Sequence, residues 1–171
     1  MSGTLGTASL DSSGNAMVSS AALPVNASIV KATYNNVDGN FVGGTTGQVT
    51  QNVSYIFVGF LQPIDNLPMT NSSKAGQTIP VKWQLKDAAG NLISDLGTLA
   101  PNGLTSGAIT CGSAPVDVIE ELVAPGATVF RFDGTQFIYN WQTSKPWAGG
   151  CRTLQVRLSD GTSHFAQFTF K

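Results

Sequence analysis

One imidazole, His164, is the only histidine in 171 residues and so the only candidate histidine base. Such a base works when a nucleophile and an orienting carboxylate are held beside it. The chain has no Gly-x-Ser-x-Gly elbow to present a serine, and His164 lies in an alternating stretch beside an Asp160-Gly161 turn. A structural histidine is expected. Glu120 and Glu121 are adjacent, and adjacent side chains of an extended strand point to opposite faces, so they do not flank a scissile bond. They read as a solvated acidic patch. Asp38-Gly39-Asn40 and Asp160-Gly161 each bring one acid where calcium needs several, and turn chemistry explains both. A single histidine cannot complete a Cys/His zinc set. The expectation is no catalytic residue, no metal site, no cofactor and no enzyme.

Two other groups carry chemistry of a different kind. Cys111 and Cys151 have no metal-ligand spacing and leave two readings, a disulfide or two buried thiols. Low charge and β patterning favour the disulfide, which would contribute roughly 4 kcal/mol by chain entropy. In Lys145-Pro-Trp147-Ala-Gly-Gly-Cys151-Arg152 an aromatic lies between two cations. Trp147, Arg152 and Lys145 are the candidate ligand-binding residues, since Trp and Arg dominate binding hot spots. The competing reading packs Trp147 over the cysteines, with Arg152 bonded to loop carbonyls or paired with Asp117 or Glu120. Asn26, Asn52 and Asn71 open N-glycosylation sequons that a Ser/Asn-rich chain produces by chance.

Composition bounds the partners. Charged residues make up 11% of the chain and the net charge is −1, so nucleic acid and anionic membranes, which need a basic face, are not expected partners. No stretch approaches the roughly 18 apolar residues of a membrane span. The opening Met-Ser-Gly-Thr has neither a basic nor an apolar signal region. An extracellular protein would therefore carry its export signal outside this chain.

The elements that must position these residues are strands. Lys74–Leu85, KAGQTIPVKWQL, places Ile79, Val81, Trp83 and Leu85 on one face, with Pro80, Lys82 and Gln84 on the other. Pro80 restricts this strand to an edge, a start or a bulge. Lys82 faces away from the core, for solubility or to lay its stem along a neighbour. Tyr55–Leu61 suits a buried strand. Alternation recurs at Phe130–Phe132, Phe137–Trp141, Leu154–Leu158 and Ala166–Phe170, so Trp83, Phe137, Tyr139, Trp141, Phe168 and Phe170 are the expected aromatic core. Leu92–Leu99 reads as a loose connection, Ile109–Cys111 as a short strand, and Val116–Val123 as irregular or strand-like. Towards the N-terminus, Leu5–Leu10 and Ala16–Ala22 read as a hairpin around Asp11–Asn15. A third strand covers Ala27–Tyr34 with Ile29 in its core, Phe41 packs under a polar loop, and residues 43–52 form a linker or last strand. Short strands punctuated by turns every 8–12 residues indicate an antiparallel, Ig-like β-sandwich. Trp141 lies ten residues before the second cysteine, which makes the likeness one of architecture only.

Two resemblances follow. LGTASLDSSGNA…ALPVNASIVKATYNNVDGNF resembles the C-terminal part of a bacterial immunoglobulin-like repeat of the group 3 type, over roughly residues 5–53, with the opening strands missing, which implies a partial second Ig-like sandwich at the N-terminus. PIDNLP (63–68), KAGQTIPVKWQL (74–85), APVDVIEE (114–121) and KPWAGGCRTLQVRLSDGTSHFAQFTFK (145–171) together resemble the PxKF domain, over roughly residues 54–171. Its naming motif here reads Pro80-Val81-Lys82-Trp83. The resemblance implies an extracytoplasmic sandwich with Cys111 and Cys151 paired, in a secreted or cell-surface multidomain bacterial protein. The function it implies is a non-catalytic structural module whose partners are neighbouring domains. The alternative is adhesion to a glycan or a surface protein through exposed loops.

Overall fold

The computed structural model describes residues 3–21, 23–36, 39, 42–119, 122 and 129–171. The chain divides into two compact units, Met1–Val53 and Ser54–Lys171. In the first, strand β1 (Asn26–Tyr34) pairs antiparallel with β2 (Gly44–Val53), with a bulge at Ala32/Thr33. This two-stranded ladder is the sheet that the described residues of the unit form. Ile29 is 64% exposed, contrary to expectation. The more protected residues of β1 are Ser28, Val30 and Tyr34, so the opposite face of the strand is the covered one. The turn at Asp11–Asn15 closes as expected, with Asp11 N–H donating to Asn15 C=O at 2.8 Å. Its arms do not become strands. Leu10, Met17 and Val18 stay exposed, and without an apolar layer to cover them the arms lack what stabilises a sheet. Phe41 and the Asp38/Asn40 loop lie outside the described residues.

The second unit is an all-β sandwich. One sheet orders β3 (Ile56–Leu61), β5 (Thr78–Lys86), β9 (Phe137–Gln142) and β8 (Phe130–Phe132), all antiparallel. The other orders β6 (Leu99–Ile109), β10 (Cys151–Leu158), β11 (Ser163–Phe170), β4 (Thr70–Ser73) and β7 (Val116–Val118). It is antiparallel from β6 to β11, but β4 runs parallel to both β11 and β7. Between the sheets, Ile79, Val81, Trp83, Leu85, Phe137 and Trp141 meet Leu154, Val156, Leu158, Ala166, Phe168 and Phe170, all nearly inaccessible. Trp83 stacks on Phe137 at 5.7 Å, and Trp141 meets Phe168 edge-on at 5.1 Å, a geometry ring quadrupoles favour. Tyr139 is only partly buried, at the margin of this core.

Pro80 sits inside β5, between two strands, yet its missing N–H leaves no gap. The Asn140 N–H donates to Val129 C=O at 2.7 Å, so the backbone of Asn140 faces β8. Its β5 partner, Pro80, is therefore in a non-hydrogen-bonded pair and faces the β3 side. Pairing with β3 stops at Leu61↔Lys82, and the proline is locally at an edge. Lys82 and Arg131 flank Ile138 in register on the outer face. Ile138 is only 6% exposed between them, which fits the packing role for the Lys82 stem.

Two segments differ from expectation. β3 is an edge strand whose outward face leaves Ile56 and Val58 half exposed, and its pairing shifts at a bulge between Phe57 and Gly59. Gly59 adopts φ 131° there, and a side chain would press on Asn66 Oδ1. Leu99–Ile109 is a continuous eleven-residue strand, where the expected short strand was Ile109–Cys111; Cys111 lies beyond its end. As an edge strand it tolerates Pro101, and Gly103 fits because a Cβ would stand 2.6 Å from both the Ala100 and Arg157 carbonyls. Val116–Val118 forms β7 and Ile119 turns inward. Glu120, Glu121 and residues 123–128 lie outside the described residues.

Candidate functional site

Asp160 organises the end of the sandwich where His164 lies. Its Oδ1 accepts from the Thr162 N–H at 2.9 Å and the Thr162 hydroxyl at 2.6 Å, while Oδ2 accepts from the Tyr55 N–H at 2.8 Å. Thr162 Oγ1 lies 3.3 Å from His164 Nε2. The single hydroxyl proton is directed at the carboxylate, so Thr162 can only accept from the imidazole. This order is the reverse of a nucleophile–base pair, where the ring nitrogen takes the hydroxyl proton and the carboxylate holds the far nitrogen. The ring lies flat on Phe57, with centroids 3.7 Å apart. Desolvation lowers the His164 pKa, against a weaker pull upward from Asp160.

A pH dependence follows. The folded state holds His164 below its ordinary value of about 6.5 and so favours the neutral ring. Its contribution is fully present above about pH 6.5 and is lost as pH falls through the folded pKa. Thermal unfolding between about pH 8 and 5 is expected to show a falling midpoint in the native chain. The decline should be shallower in His164→Gln; equal slopes would contradict the assignment.

Trp147, Arg152 and Lys145 are brought to one end of the sandwich but are not equally presented. Lys145 is exposed and opens a 3-10 turn, Lys145–Trp147. Trp147 is half-buried, its ring 5.9 Å from Trp141 and 5.7 Å from Phe170. The Arg152 guanidinium lies 4.0 Å over that ring. It also donates from Nε to Ser106 Oγ at 3.3 Å and from Nη2 to the Ser106 carbonyl at 3.2 Å. The indole is thus enclosed between core aromatics and a cation anchored to β6. Trp147 packs on the core rims, and the partner of Arg152 is a strand residue rather than a loop carbonyl.

The disulfide joins Cys111 to Cys151, with Cα atoms 5.2 Å apart. Cys151 is in register with Ile109, two residues before Cys111. The bridge therefore links neighbouring strands of one sheet instead of pinning the two sheets together.

Other polar side chains serve the backbone. Asn66 bonds both the N–H and C=O of Phe60, each at 2.8 Å. Buried Asn71 accepts from the Asp65 N–H at 2.8 Å and donates to the Asp65 and Gln167 carbonyls at 3.1 Å. Asp11 and Asp87 build the same turn from Asp-x-x-Gly-Asn. In each the Asp backbone N–H meets the Asn carbonyl, and the carboxylate accepts the Asn N–H. The Asn15 backbone N–H draws the Asp11 carboxyl below its usual value, and the Asn91 side chain does so at Asp87. At Asp133 the Gln136 side chain, then the Thr135 N–H, hold the carboxyl well below the carboxylate range. The repeated five-residue pattern was the available sequence signal for the twin turns.

No family model, curated protein or solved structure matches this chain. No helix among the described residues is long and apolar enough to cross a membrane.

Proposed function

We propose that residues 54–171 are a PxKF-like, non-catalytic spacer module of a secreted or cell-surface multidomain bacterial protein. Residues 5–53 are, in this reading, the C-terminal part of a bacterial immunoglobulin-like repeat. The observation that carries the reading is the polarity of the second unit. The chain enters it at Tyr55, tied to Asp160 and Ser159 beside the β10–β11 turn. It leaves along β11, whose eight residues run away from that turn for about 26 Å at the usual rise. Entering and leaving at opposite ends suits a unit that adds length and bears tension along its strands. The disulfide supports an oxidising compartment. Engagement of His164, Asp160 and Asn71 in fixing strands and turns supports a non-catalytic role.

Force spectroscopy on the full chain held by its ends tests this. The second unit is expected to yield in one resolved step. After reduction the released length should grow by about 140 Å, the forty-residue separation of the cysteines at about 3.5 Å per residue. Extension without a resolved step would end the spacer reading.

A further inference from the structure

The outer face of the five-stranded sheet carries a cleft of about 300 Å³ lined by Asn102, Gly103, Thr105, Gln155 and Arg157. Its origin is the irregular pairing of β6 with β10, where the register shifts between Val156 and Leu158 and Asn102 takes a left-handed φ of 51°. The polar groups are held in place by hydrogen bonds to one another and to groups beside the cleft. The Gln155 amide donates to Ser163 Oγ at 3.0 Å and accepts from Thr105 Oγ1 at 3.5 Å. Arg157 donates to the Pro101 carbonyl at 3.2 Å. Phe165 sits opposite Gln155 across the β10–β11 ladder, on the same face, and is 45% exposed.

The chemistry of the lining selects its ligand. None of the lining side chains is an apolar one, the nonpolar surface coming from backbone and from the stems of polar residues, and a polyanion finds one cation where it needs several. Two amides, a hydroxyl and a guanidinium offer donors and acceptors to an uncharged, hydroxyl-rich molecule. The volume lies at the small end of the roughly 300–1,000 Å³ of ligand clefts, which suits one sugar ring. The electron-rich face of the adjacent phenyl ring can receive the C–H face of such a ring. We propose that this cleft and Phe165 bind a pyranose unit of a neutral saccharide. The site is separate from Trp147 and does not depend on the spacer role.

The test is amide-resolved NMR of the full chain titrated with cello-, malto-, xylo- and chito-oligosaccharides at millimolar concentrations. Shifts are expected at Thr105, Gln155 and Phe165 with at least one of the four. Phe165→Ala and Gln155→Ala should each weaken that binding by about tenfold or more, with the rest of the spectrum unchanged because both side chains lie outside the core. Trp147→Phe should bind as the native chain does. The proposal is overturned if no oligosaccharide shifts these amides, if the shifts centre on Trp147–Arg152, or if Phe165→Ala binds undiminished.

Discussion

Replacing Asn71 by alanine is expected to lower unfolding stability by about 3 kcal/mol or more, since each buried partner left unsatisfied costs about 1–3 kcal/mol. The side chain is 1% exposed. Its loss strands the Asp65 N–H, the Asp65 carbonyl and the Gln167 carbonyl together. The damage spreads because these groups belong to two layers. Asp65 lies in the loop that carries Ile64 into the core, while Gln167 lies on β11, beside β4. Asn71→Asp should be at least as harmful at neutral pH, because the carboxylate would face two carbonyls with no proton to give. Urea unfolding of the three proteins measures this. A loss below about 1 kcal/mol for the alanine variant would mean that Ile64 alone holds the loop.

The Cys111→Ser/Cys151→Ser double variant is expected to lose about 4 kcal/mol, from a forty-residue sequence separation in the chain-entropy relation. The placement of the bridge predicts where that loss is felt. It ties the edge strand β6 to β10 and leaves the contacts between the sheets untouched. Native-state hydrogen exchange should therefore quicken first in β6, while β5 and β9 keep protection relative to the lowered global limit. Uniform loosening of both sheets would contradict an edge-local role. An unchanged urea midpoint on reduction would contradict the entropic estimate itself.

The parts of this fold that were legible in the sequence are those where one face of a strand is apolar and the other polar. Lys74–Leu85 and Cys151–Phe170 satisfy that condition, and their core residues lie where alternation puts them. Leu99–Ile109 escaped because an edge strand need not alternate, and because Pro101 and Gly103 resemble punctuation until the bulge that needs them is seen. Ile29 misled for the opposite reason. Alternation marks two faces, but only a covering layer decides which is buried, and that layer is not encoded within the strand. The Trp147 cluster was legible as a cluster of residue types. Its enclosure depends on Phe170 and on the Ser106 anchor of Arg152, both distant in sequence. The cleft at Gln155 left no motif, since its members come from two strands whose register, not spacing, brings them together.

The position of β11 bears on when this protein can fold at all. It follows in sequence every strand it pairs with, yet it lies in the middle of its sheet, between β10 and β4. β4 reaches β10 only through it, as Gln167 meets Thr70 and Gln155 meets Phe165. A nascent chain that has emerged as far as β10 can make the β3–β5–β9 ladders and the β6–β10 pair, but has no way to bridge the two halves of the second sheet. Its core stays open on one side until Phe168 and Phe170 arrive. Such a chain holds separate ladders without a closed core between them. It reaches its final shape only when the last strand slides between neighbours already present.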